Sequence, residues 1–70
     1  MKPKYTAIIQ HTDEWWIGWI EEVPGVNSQG KTRKELVDNL RSALAEMLEI
    51  NRAQARAAAN GAYEEESIHL

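Results

Sequence analysis

Apolar positions along the chain follow a period of two, switch once to a period of 3.6, and then return to two. Over 4–10, Tyr5, Ala7 and Ile9 alternate with Thr6, Ile8 and Gln10, which predicts a first strand. His11-Thr12-Asp13-Glu14 is a polar turn that leads back into a second strand over 15–22. Val23-Pro24-Gly25-Val26 then suits a type II turn, in which Pro fixes the first central φ and Gly accepts the positive second one. A short third strand over 26–29 stops at Gly30.

The helical segment opens on Thr32, with Glu35 three positions on to complete a capping box. Leu36, Leu40, Ala43, Leu44, Met47 and Leu48 then share one stripe, the spacing of a helix laid against a sheet. Asn60-Gly61 offers a stop, so the helix is expected over about 32–59. An unbroken helix of that span is about 40 Å long, against about 20 Å for a six-residue strand. Either it breaks near Asn51, or its alanine-rich end overhangs the sheet. Ala53, Ala55, Ala57, Ala58 and Ala59 read first as high helix propensity, and second as room for close helix-to-helix approach.

Ile68 and Leu70 alternate with Ser67 and His69, which predicts a last strand over 65–70. A helix between two strands of one sheet makes a right-handed crossover and leaves them parallel. The expected fold is a single α+β domain over 1–70, β-β-β-α-β, with a mixed sheet of three to four strands covered on one face by one long helix.

That architecture leaves a problem on the second strand, which carries all three tryptophans of the chain. Trp15, Ile17 and Trp19 share one face; Trp16, Gly18 and Ile20 share the other. One helix covers only one of them. Gly18 permits its close approach, so Trp16, Gly18 and Ile20 are assigned to the core and Trp15, Ile17 and Trp19 to the open face. An enclosed Trp buries roughly 150–250 Å², so rings left in water forgo several kcal/mol, and a partner would recover it. Glu14, Glu21 and Glu22 are the expected acidic rim of that patch.

Charge and composition narrow the partner. With 70 residues the domain is near the lower limit for unaided folding, and with no cysteine it has no disulfide staple. A net charge of −3 argues against nucleic acid and favours a basic protein. No apolar run reaches bilayer length and none forms a signal-peptide core, so a cytoplasmic protein without membrane contact is expected.

The run Trp16-Ile17-Gly18-Trp19-Ile20-Glu21-Glu22-Val23-Pro24-Gly25-Val26-Asn27-Ser28-Gln29-Gly30-Lys31-Thr32 resembles the signature of the HicB-like antitoxin family. That signature is an aromatic-apolar-small strand, a Pro-Gly turn, and a Gly-x-Thr step into an amphipathic helix. Glu21 stands where many relatives carry a further proline, and Val26 where many carry cysteine. The resemblance implies a partly degraded ribonuclease-H-like fold with the last strand beside the first. It also implies a HicA-like partner, a small basic toxin that cleaves messenger RNA. Many relatives add a DNA-binding module at the C-terminus; none follows Leu70, so direct operator binding is not expected.

Catalysis is not expected. A ribonuclease-H site needs carboxylates converging on two metal ions, and the first strand contains no Asp or Glu. Asp13, Glu14, Glu21, Glu22, Glu35 and Asp38 fall in turns and first helical turns, where acidic residues solvate the chain and complement the helix dipole. His11 and His69 lack a spaced partner, and no serine or threonine belongs to a nucleophile–base set, so no catalytic, metal or cofactor site is assigned. Two binding functions remain in front of a degenerate enzyme. One is an antitoxin-type module; the other is a stand-alone homo-oligomer, a dimer or larger, acting as regulator or scaffold through the same patch or its sheet edges.

Overall fold

The computed structural model describes residues 4–70; the first three positions of the expected 1–70 domain lie outside the described residues. Three strands precede one helix: β1 (Ala7–His11), β2 (Trp16–Ile20), β3 (Asn27–Gly30) and α1 (Arg33–Ala57). The sheet order is β1-β2-β3 and both pairings are antiparallel. Each strand lies inside or within a residue or two of its predicted span.

Two local devices set the register. At the first hairpin the Thr12 N–H donates to the Trp15 carbonyl at 2.8 Å, and the Trp15 N–H donates to the Thr12 hydroxyl at 3.1 Å. The turn is therefore Asp13-Glu14, and His11 is the last residue of β1 rather than the first of the turn. At the second, Gly25 takes φ +90° and the Val26 N–H closes on the Val23 carbonyl, as a type II turn requires. Gly25→Ala places a Cβ in that left-handed region and should cost about 1–2 kcal/mol, read as a lower urea midpoint with unchanged slope.

The helix starts where its cap dictates, with the Thr32 hydroxyl accepting from the Glu35 N–H at 3.0 Å. It lies over β2 and β3. Gly18 makes this possible: a Cβ there would sit 3.3 Å from both Leu36 Cδ2 and Leu40 Cδ1. The core consists of Ile20, Val23, Val26, Leu36 and Leu40, with Ala7, Ile9, Trp16, Ala43, Leu44, Met47 and Leu48 packed around it in part. Leu44 and Met47 are thus only half-buried, although the helical stripe predicts full burial, because the stripe runs off the edge of so small a sheet.

The helix does not break at Asn51. Its 25 residues run about 37 Å, whereas a five-residue strand spans about 17 Å, so the alanine-rich end projects past the sheet and the molecule measures 52 × 24 × 15 Å. The expected stop is also displaced. Ala58 caps the helix in the right-handed region, and Gly61, at φ +103°, turns the chain three residues later.

The strand predicted over 65–70 is not formed. The overhang carries the chain away from the sheet before that segment begins, and Glu64-Glu65-Glu66 places three like charges at its start. Ile68 and Leu70 alternate as a strand would, yet stand in solvent. With no crossover strand to accept, the sheet is wholly antiparallel rather than mixed.

Candidate functional site

Residues directly opposite one another in an antiparallel pair point to the same face, so the register defines the surface opposite the helix. Ile8, Trp19 and Asn27 form one row across the sheet, and Gln10, Ile17 and Gln29 form the next. Trp15 continues the β2 column at the hairpin end. Trp15 remains 36% and Trp19 40% exposed, the values of rings with one side against the sheet and the other in water. On the opposite side of the same strand, Gly18 and Ile20 are buried and Trp16 packs on the core. The assignment of the two faces of β2 therefore follows the reading from alternation and the size of Gly18.

The acidic residues flank this patch along the strand rather than around it. Glu14 is exposed in the hairpin turn beside Trp15, and Glu21 and Glu22 are exposed beyond Ile20 at the other end. The sides of the patch are amides: Gln10 on β1, and Asn27 and Gln29 on β3. Among the described residues, neither Glu14 nor Glu21 forms an ion pair. Glu22 is committed: its carboxylate accepts the Thr6 N–H at 2.7 Å, which holds its pKa below the ordinary glutamate range. That bond fastens the start of β1 to the turn after β2.

A depressed folded-state pKa contributes stability in full above the ordinary glutamate value, and the contribution is lost as pH falls through the depressed one. An NMR titration should therefore place Glu22 below the other glutamates. Glu22→Gln should flatten that part of the acid-unfolding curve, whereas an unshifted Glu22 would contradict the Thr6 anchor.

Two features of the hairpin, one on each face, escaped the reading from single-strand patterns. Ile8 joins the patch because it lies opposite Trp19, a pairing visible only once the turn is fixed at Asp13-Glu14. His11 stacks on Trp16, with ring centroids 4.2 Å apart and planes 8° from parallel, on the helix side of the hairpin end. Both follow from the hairpin register, and a turn placed one residue earlier conceals them.

Chemically the face can bury apolar and aromatic surface and accept hydrogen bonds at its amide flanks. Among the described residues, no three His, Asp or Glu side chains gather as metal ligands. No helix among the described residues is long and apolar enough to cross a membrane. Comparison of the chain with known family models, with curated proteins and with solved structures finds no match.

Proposed function

We propose that this chain is an antitoxin-type protein-binding module whose open sheet face covers a small basic toxin of the HicA-like kind. The observation that carries the reading is the uncovered face of the central strand, where Trp15, Ile17 and Trp19 stand with Ile8 opposite the helix. Tryptophans with one free side are what interface centres are enriched in. The net charge of −3, with Glu14 and Glu21 free of ion pairs among the described residues, suits a basic partner. The HicB-like run from Trp16 to Thr32 supplies the kind of partner, and β2, the Pro-Gly turn, β3 and the helix cap are built from that same run.

On this reading the module acts by occlusion. Its rigid sheet covers the surface through which the toxin holds RNA, and acidic residues take the place of phosphates against the toxin's basic side chains. No group of this chain takes part in bond making or breaking.

The test is co-expression with a HicA-like small basic toxin, taken from the adjacent reading frame where one is encoded there, followed by tagged pull-down and a growth assay. Rescue of arrested growth, lost in Trp15→Ala/Trp19→Ala protein that still folds, is the expected outcome. Absence of both complex and rescue rejects toxin neutralisation and leaves the homo-oligomeric regulator, which the same apolar face would also serve.

A further inference from the structure

The two edges of the sheet are treated differently. On β3, the Ile20 N–H bonds the Val26 carbonyl, so alternation turns the backbone groups of Asn27 and Gln29 outward. That edge is short, and the Asn39 side chain donates to the Gln29 carbonyl at 2.9 Å. On β1, the Glu21 N–H bonds the Thr6 carbonyl and the Thr12 N–H bonds the Trp15 carbonyl. The same alternation turns the N–H and C=O groups of Ala7, Ile9 and His11 outward, where they find no partner among the described residues. Beside this open edge, on the helix side, lies a groove of about 170 Å³ lined by Tyr5, Ala7, Val37, Leu40, Arg41 and Leu44. An unpaired edge and an apolar groove under it are the two halves of a site for an added strand.

The chain carries a segment of matching chemistry. Ile68 is 79% exposed and Leu70 fully so, and as alternate residues they would present one apolar face to the groove. Glu64, Glu65 and Glu66 precede them, opposite in sign to Arg41 at the groove wall, whose guanidinium pairs with Asp38 at 3.3 Å and keeps most of its surface in solvent.

In the conformation described, this segment cannot fill its own groove. Glu65 pairs with Arg56 at 3.3 Å, and Tyr63 and Glu64 lie along the overhang near Arg52. Leu70 is five residues on, a reach of about 17 Å. Arg56 lies twelve helical residues beyond Leu44, about 18 Å along the axis. The segment would end where the groove begins, with nothing left to pair along β1.

We infer that the β1 edge and its groove accept the 65–70 segment of a second copy of this chain, exchanged reciprocally about a twofold axis. The long overhang presents the segment outward. Each copy has one groove and one segment, so a twofold exchange closes with neither left over. The pairing uses β1 and leaves the Trp15, Ile17 and Trp19 face clear.

The experiment is light scattering across a concentration series on the full chain, on a chain lacking residues 62–70, and on Ile68→Ser/Leu70→Ser. It is coupled to isotope-filtered NMR on mixed labelled and unlabelled chains. The full chain should have twice the 8.0 kDa chain mass. Both variants should raise the dimer dissociation constant about a hundredfold or more, with near-ultraviolet dichroism of the tryptophans unchanged. Contacts between Leu70 and Leu44 should appear only between chains. A monomeric full chain, a dimer that survives loss of 62–70, or Leu70–Leu44 contacts within one chain would each overturn the exchange. Toxin binding, read separately through the Trp15/Trp19 variants, would stand or fall independently.

Discussion

Gly18→Val should remove at least about 3 kcal/mol of stability from this chain, a large share of what a domain of this size has. Gly18 lies on the central strand under the helix, and a Cβ built there comes within 2.7 Å of the Ile8 carbonyl oxygen. That atom is backbone in a paired strand, so it yields only if the sheet yields. The same Cβ meets Leu36 and Leu40 at 3.3 Å, and these are the largest fully buried side chains of the molecule. Overpacking a core costs typically about 1–3 kcal/mol, and displacing a strand adds to it. A domain of this size has only about 4–10 kcal/mol in total. Far-ultraviolet dichroism with urea titration should show a loss of at least about 3 kcal/mol. Wild-type stability in this variant would mean that α1 does not lie over β2 in the way described. Gly61→Ala provides the contrast: no atom lies within 4 Å of the added Cβ, so its left-handed φ makes any cost local to an exposed segment.

The size of that effect reflects how little core there is. Among the described residues only five apolar side chains are buried, and they gather around the Pro-Gly turn and the first two turns of the helix. Everything in α1 from Glu49 onward is exposed. The ion pairs there, such as Arg52–Glu49, are exposed on both sides and contribute little. Stability is thus concentrated at one end of a long molecule, while apolar surface remains open on the sheet face, the β1 edge and the segment after the helix. A protein so arranged gains from each partner it covers itself with.

The parts legible from sequence are those fixed by local chemistry. Thr32 before an apolar stripe, and Pro24-Gly25 between two strands, specify a cap and a turn whatever the remainder does. The two faces of β2 were legible because alternation is rigid and Gly18 marks the closely packed side. The last strand was not, because its formation depends on where the helix ends, and that is a contest between propensity and packing. From Ala53 onward the sequence favours helix so strongly that α1 continues past the sheet, and the alternation at Ile68 and Leu70 is left without an edge within reach. Ile8 and His11 were missed for a related reason. Cross-strand neighbours depend on the turn to the residue, and the Thr12 hydroxyl, by bonding Trp15, moves it by one.

The second large effect separates binding from folding on a single strand. Trp15→Ala/Trp19→Ala removes two rings from the open face and none from the helix side, so stability should fall by no more than about 1–2 kcal/mol, mostly from packing against Ile8. Partner affinity should collapse. Central tryptophans of an interface typically cost about 2 kcal/mol or more each when truncated, and the pair together corresponds to about a thousandfold in Kd. Calorimetry with the purified basic partner, beside urea titration of the same protein, measures both quantities. The wild-type emission provides a check that needs no mutation. Trp15 and Trp19, at 36% and 40% exposed, should be open to acrylamide quenching in the free chain and protected in the complex, whereas Trp16, packed on the core and stacked by His11, should change little. Affinity retained in the double variant, with quenching unchanged on complex formation, would move the interface off this face and remove the observation on which the antitoxin reading stands. Loss of affinity together with loss of fold would instead place Trp15 and Trp19 in the core, against their exposure. Only the dissociation of the two effects, an intact domain that no longer binds, identifies the outer face of β2 as the surface the partner covers.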